Sequence, residues 1–239
     1  MSRLFLVRHG QASFLEQNYD KLSPVGERQS QLLGNYWGHR PLAFQRIYTG
    51  PRTRQMETAR IVGQEYKKAG LPWPEVQVMP EFDEYHGEWV MEASLDGLAD
   101  SNPQVRELQQ DFLRAGSVQE KYKTFQRLFE VVIGKWVAGE IEVEGVESWP
   151  EFCVRVNRGL SQVCSVNGGR ENVAVFNSGG PIGVALQRAL DLSPENTLKV
   201  AWMARNCSFS EFLFSGERFT LSSFNELPHL DDPSLVTYR

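Results

Sequence analysis

The sequence predicts a three-layer α/β fold, with a mostly parallel central sheet and helices on both faces. Three observations carry that expectation. Short apolar runs alternate with stretches of helical periodicity, the pattern of βα units. The first run, Leu4–Val7, is apolar at every position, as a strand buried on both faces must be. Polar, chemically capable residues stand directly after several of these runs, where open α/β sheets form their ligand crevices.

Each element has a local reason. Leu4–Val7 ends abruptly at Arg8-His9-Gly10, which reads as a strand opening into a loop. Ser23 is an N-cap and Pro24 a first helical residue, and Val25, Leu32, Leu33, Tyr36 and Trp37 follow at helical spacing. Gln45 to Thr49 is a short strand. A second helix carries Met56, Ala59, Val62 and Tyr66 on one face and ends near Gly70. Val76 and Val78 suggest another short strand. From about residue 91 to 147 the chain turns helical and more polar, and we read this stretch as a helical insertion or lid within one domain spanning 1–239. Tyr122, Phe125, Leu128, Phe129, Val132, Ile133 and Trp136 form its amphipathic stripe.

Beyond it, Glu140, Glu142, Glu144 and Glu147 read as a solvated face rather than a metal site. Ser148 and Glu151 have the spacing of a capping box, opening a helix through Trp149, Phe152, Val156, Leu160 and Val163. Asn172 to Asn177 is a buried strand that runs into Ser178-Gly179-Gly180-Pro181 and a helix. Ser193-Pro194 starts another. Strands around Ser208–Phe214 and Phe219–Phe224 flank the turn Ser215-Gly216-Glu217, so an antiparallel edge strand is expected. The tail from Pro228 reads as irregular.

Bulk properties narrow the function. The chain has 239 residues, 41% of them hydrophobic, enough for a large core. A net charge of -5 with no basic block argues against nucleic acid or an anionic membrane as partner. An anionic substrate must then be held by local arginines. Cys153, Cys164 and Cys207 lack metal-ligand spacing and read as small core residues of a reducing compartment. No apolar stretch is long enough for a membrane span, and Leu4–Val7 is too short for a signal peptide. The expected location is cytoplasmic; oligomeric state leaves no trace.

Four segments fall at strand ends: Arg8-His9-Gly10, Thr49 to Arg54, Asp83-Glu84-Tyr85-His86, and Asn177 to Gly180. Together they offer a nucleophilic imidazole, several cations, carboxyl groups and backbone N–H groups at a helix start. That inventory suits phosphoryl transfer. No nucleotide phosphate loop of the Gly-x-x-x-x-Gly-Lys type is present.

On these residues the chain resembles the histidine phosphatase superfamily, the phosphoglycerate mutase-like family, along nearly its whole length. The resemblance rests on Arg8-His9-Gly10 after the first strand, the helix start Leu22-Ser23-Pro24-Val25-Gly26, Arg54 four residues before Thr58-Ala59, and Asn206-Cys207-Ser208 before a late strand. It implies that His9 attacks phosphorus and becomes phosphohistidine, that Arg8 and Arg54 bind the phosphoryl oxygens, and that Gly10 lets the backbone approach. Ser178 and Gly179 would contact phosphate. A carboxylic acid after Phe82 would protonate the leaving oxygen, and no metal or cofactor is required. Glu84 is favoured as that acid; Asp83 fits the spacing to Gly87 better and stays open. His86, beside the acid, enters the site or is a solvated loop residue. Arg52 adds charge at the pocket mouth or lies on the surface.

One departure stands out. The family carries a second histidine in a Ser-His-Gly-Gly type segment, and here Ser178 occupies that position. The leading expectation is a metal-independent phosphomonoesterase of the histidine acid phosphatase type, acting on a small phosphorylated substrate. A phosphoglycerate mutase is the alternative enzyme. It is disfavoured because Gln11, Ala12, Ser13 and Phe14, rather than cations, follow His9. The replaced histidine motivates a further alternative, a non-catalytic phospholigand-binding or interaction protein.

Overall fold

The computed structural model describes residues 1–13, 20–165 and 170–238; Phe14 lies outside them. The chain divides into two compact units, Met1–Glu84 with Arg155–Arg239, and Tyr85–Val154.

The first unit holds a six-stranded sheet in the order β3-β2-β4-β1-β5-β6. Its strands are β1 (Ser2–Arg8), β2 (Arg46–Thr49), β3 (Val76–Val78), β4 (Asn172–Asn177), β5 (Phe209–Ser215) and β6 (Arg218–Glu226). β1, β2, β3 and β4 run parallel. β5 pairs antiparallel with both β1 and β6, so the reversed strand lies one place in from the β6 edge. The hairpin explains this: a tight turn at Gly216, with φ of +57°, joins neighbours, while β1 has already claimed the other side of β5.

Side-chain alternation distributes β1 over two cores. Phe5 and Val7 join Leu33, Trp37, Phe44, Val62, Tyr66 and Phe176 on the face covered by α1 (Pro24–Gly38) and α2 (Thr53–Lys68). Leu4 and Leu6 point to the opposite face and are fully buried as well. Phe5 meets Trp37, Phe44 and Phe209 edge-on, with centroids 5.6–6.1 Å apart, an arrangement favoured by the ring quadrupoles. α1 starts where Ser23 Oγ accepts from the Gly26 N–H at 3.1 Å, ahead of Pro24. The remaining helices are α6 (Trp149–Val163), α7 (Gly179–Leu190) and α8 (Pro194–Met203), numbered after the three helices of the second unit. α7 packs on β1 and β6.

The second unit is built from α3 (Gly87–Ser101), α4 (Pro103–Arg114) and α5 (Val118–Val137), and it includes the start of α6. Ser117 and Glu120 form a reciprocal capping box at the start of α5. Tyr85 stacks on Trp136 at 5.4 Å, and Trp136 meets Trp149 edge-on at 5.8 Å. Ser148 and Glu151 exchange the hydrogen bonds of the expected cap.

Cys207 is buried, whereas Cys153 and Cys164 are only half-buried, so core packing describes one of the three thiols. Burial pushes all three up to about 12. No helix among the described residues is long and apolar enough to cross a membrane.

The loop after β1 rests directly on α1. A Cβ on Gly26 would lie 2.1 Å from the Gln11 carbonyl oxygen, and one on Gly10 would lie 2.5 Å from the Gly26 oxygen. Both obstacles are backbone and cannot rotate away. We expect Gly26→Ala to cost about 1–3 kcal/mol, read as a lower urea midpoint at unchanged m-value. An unchanged midpoint would show that the contact relaxes freely.

Candidate active site

Three adjacent parallel strands, β2, β4 and β1, end side by side, and their following loops meet. The His9 N–H donates to the Asn177 carbonyl at 2.9 Å, the Gly50 N–H to that of Phe176 at 2.9 Å, and the Met79 N–H to that of Thr49 at 2.8 Å. These bonds join the loops after β1, β2 and β4 in one carboxyl-end crevice.

His9 lies at its centre and is 5% exposed. Nδ1–H donates to the Gly10 carbonyl at 2.7 Å, and Nε2 accepts from Arg54 Nε–H at 3.1 Å. A guanidinium N–H only donates, so Nε2 carries the lone pair and Nδ1 the proton. Burial first, then the charges of Arg54 and Arg8, hold the imidazole well below its ordinary pKa; the Gly10 carbonyl opposes them. His9 is therefore a neutral imidazole with its lone-pair nitrogen facing a cation.

The framework around it is dense. Thr58 Oγ1 donates to the Arg54 carbonyl at 2.7 Å and accepts from the Gly10 N–H at 3.0 Å, coupling α2 to the β1 loop. The His9 carbonyl accepts from Asn206 Nδ2 at 3.2 Å and from the Cys207 N–H at 3.1 Å. Asn206 Oδ1 in turn accepts from Thr237 Oγ1 at 2.9 Å. Arg8 donates to the Ala204 carbonyl. Arg54 Nη1 meets Asp20 Oδ1 at 2.7 Å, while Asp20 Oδ2 accepts from the Thr53 N–H at 2.8 Å. Nothing in the sequence pattern singled out Asp20.

The two candidate acids occupy different environments. Asp83 Oδ1 pairs with Arg52 Nε at 2.5 Å and accepts from the Glu84 N–H at 2.8 Å. Arg52 also reaches the Glu84 carbonyl at 3.4 Å, so its guanidinium binds the acid loop. Arg155, which the sequence did not flag, grips that loop from another side, donating to the Pro80, Glu81 and Asp83 carbonyls at 3.0–3.2 Å. Glu84 Oε2 accepts from the Gly180 N–H at 3.1 Å, at the N-terminus of α7 beside Ser178 and Gly179.

Ser178 is 1% exposed, and its Oγ accepts from Gln55 Nε2 at 2.8 Å. Asn177 is fully buried, and neither of its side-chain amide atoms has a hydrogen-bond partner among the described residues. His86 belongs to the second unit, where it precedes α3 and stacks on Trp89 at 4.2 Å. His39 caps the end of α1. His229 packs against Phe209 and Tyr36 and is held at about 4, chiefly by burial. Among the described residues no cluster of three His, Cys, Asp or Glu side chains is arranged to hold a metal ion.

Two predictions follow from these fields. Arg54→Ala should raise the His9 pKa toward the ordinary imidazole value, read by NMR titration of the ring; an unmoved titration would mean that the Arg54 charge does not reach it. Unfolded His229 takes up a proton near 6.5, whereas the folded form stays neutral down to about 4. The unfolded state thus binds more protons in that window, and His9 acts in the same direction. Stability should fall as pH drops from 6.5 to 4, and His229→Phe should flatten that fall in denaturant titrations.

The sequence pattern of the histidine phosphatase superfamily, branch 1, matches residues 4–140 and 113–227. No curated protein matches the sequence. Among solved structures, phosphoserine phosphatase from Entamoeba histolytica is similar, with 19% identity over 96% of this chain and 99% of its own, at a TM-score of 0.62. Phosphoglycerate mutase from Bacillus anthracis gives 17%, 95%, 94% and 0.63. A mycobacterial glucosyl-3-phosphoglycerate phosphatase gives 20%, 94%, 98% and 0.60. At these identities the likeness concerns the fold. With the superfamily pattern spanning most of its length and the site assembled at the strand ends, the chain belongs to the histidine phosphatase superfamily, branch 1.

Proposed function

We propose that the protein is a phosphatase that hydrolyses a small phosphomonoester through a phosphohistidine on His9. One observation carries the reading: His9 is neutral, with Nδ1–H fixed on the Gly10 carbonyl and the Nε2 lone pair facing Arg54. A binding protein for phosphate has no need of a nucleophilic nitrogen held in one tautomer. Arg8 and Arg54 bind the equatorial oxygens and balance the charge of the transition state. Gly10, Ser178 and Gly179 supply close backbone approach and further contacts.

In the first step the Nε2 lone pair forms the N–P bond, the P–O bond to the leaving group breaks, and Glu84 gives that oxygen its proton. In the second, the Glu84 carboxylate takes a proton from water, the water oxygen bonds to phosphorus, and the N–P bond breaks. Alcohol and inorganic phosphate result, and both His9 and Glu84 return to their starting forms. Asp83 is unsuited to this shuttle because it is paired with Arg52. Fold relatives named for phosphoserine and glucosyl-3-phosphoglycerate support a small organic phosphate as substrate. A mutase would need added cations to hold a bisphosphate, and Gln11, Ala12 and Ser13 provide none.

The test is turnover of p-nitrophenyl phosphate and phosphoserine in EDTA between about pH 4.5 and 8, with acid quenching to trap acid-labile, base-stable phosphoprotein. Wild type should turn over and trap phosphohistidine, and His9→Ala should do neither. Glu84→Gln should lower kcat by about 10²–10⁴, more for phosphoserine than for p-nitrophenyl phosphate, whose leaving group needs no proton. Turnover surviving in His9→Ala would end this reading.

A further inference from the structure

Gln55 follows Arg54 on α2 and is fully buried. Its carboxamide bridges two parts of the site. Oε1 accepts from the Arg52 N–H at 3.1 Å, and Nε2 donates to Ser178 Oγ at 2.8 Å, with a longer contact to the Phe82 carbonyl at 3.4 Å. A backbone N–H is only a donor and a backbone carbonyl only an acceptor, so both ends of the amide have fixed roles. The space is tight: a Cβ on Gly50 would lie 2.2 Å from Oε1 and 2.5 Å from the Phe82 oxygen. The amide is held in one orientation.

That orientation dictates what Ser178 does. A hydroxyl has one proton and two lone pairs, and Gln55 occupies a lone pair. The Ser178 side chain makes no capping bond to its own helix. Among the described residues its proton has no acceptor. The preceding Asn177, paired in register with Arg8, likewise keeps both buried amide atoms unpartnered. Buried donors without acceptors are costly, and an incoming acceptor removes the cost. The His9 N–H bonds to the Asn177 carbonyl, so this hydroxyl stands one residue from the nucleophile's own anchor.

We propose that Gln55 is a positioning residue that turns the Ser178 hydroxyl proton toward a phosphoryl oxygen, so that the Gln55–Ser178 pair supplies the hydrogen bond that the superfamily's second histidine would give. The inference rests on His9 as phosphoryl acceptor. It explains why the carboxamide is needed: Gln55 donates to Ser178, where a carboxylate would accept the hydroxyl proton and withdraw it from the substrate.

The test compares Gln55→Met, Gln55→Glu, Ser178→Ala and the Gln55→Met/Ser178→Ala pair with wild type. Readouts are kcat/KM for p-nitrophenyl phosphate from about pH 4.5 to 8, orthovanadate affinity by calorimetry, and folding by circular dichroism. Gln55→Met should lose about 10- to 100-fold, somewhat less than a transition-state donor deleted outright, and should lose little more when Ser178 is already Ala. Gln55→Glu should be weakest at high pH and recover relative to wild type as pH falls, because its protonated carboxyl donates again. Losses from Gln55→Met and Ser178→Ala that multiply independently, or a Gln55→Glu profile parallel to wild type, overturn the proposal. If wild type turns over through His9 while the Gln55 variants match it, only this inference fails. If wild type binds vanadate without turnover, the same ranking of affinities decides. Failure of wild type to bind vanadate removes both this inference and the phosphatase reading.

Discussion

Everything at the strand ends depends on keeping one imidazole neutral, dry and in a single tautomer. An unpaired histidine in water near neutral pH is a mixture of forms. His9 is not, because the Gly10 carbonyl accepts the Nδ1–H hydrogen bond and two guanidiniums beside a buried ring penalise a second proton. The Gly10 carbonyl can serve only because the loop lies flat on α1, and it lies flat only because residues 10 and 26 are both glycine. Thr58 and Asn206 then fix the loop from α2 and from the strand β5 approach. The state of this imidazole is thus defined by backbone contacts far more than by its own side chain.

The same logic separates the legible from the illegible in the sequence. The strand before Arg8, the Ser23-Pro24 helix start, the Asn172–Asn177 strand and the Ser148–Glu151 cap were readable because each is decided within a few residues. The side-by-side ending of β2, β4 and β1 was also readable, since parallel order follows from the βα pattern. The reversed strand beside β1 was less so: a hairpin signal says that two strands pair, not which of them borders the rest of the sheet.

Asp20, Gln55 and Arg155 were not legible. Asp20 reaches Arg54 34 residues away, Gln55 reaches Ser178 123 away, and Arg155 reaches the Asp83 carbonyl 72 away. No periodicity encodes such distances. Asp83 and Glu84 could not be ranked from spacing for a related reason. Neighbours in a loop differ only in direction, and direction is set by what grips the loop. Arg52 takes Asp83, Arg155 takes the surrounding carbonyls, and Glu84 is left facing the N-terminus of α7.

The resting site is occupied by its own groups. Arg54 is bonded to the His9 Nε2 lone pair and to the Asp20 carboxylate, while Glu84 lies on a helix N-terminus, where anions are favoured. In the proposed cycle a phosphoryl group entering the crevice exchanges partners rather than filling a vacancy. In that cycle Arg54 transfers its N–H groups from nitrogen and carboxylate to phosphoryl oxygen, which frees Nε2 at the moment an electrophile arrives. In the same proposal the dianion brings a like charge toward Glu84. In the proposed cycle the substrate itself thus drives the acid to carry the proton that its leaving group will need. The acid's placement on α7 and the nucleophile's bond to Arg54 are two halves of one exchange, both reversed when phosphate departs.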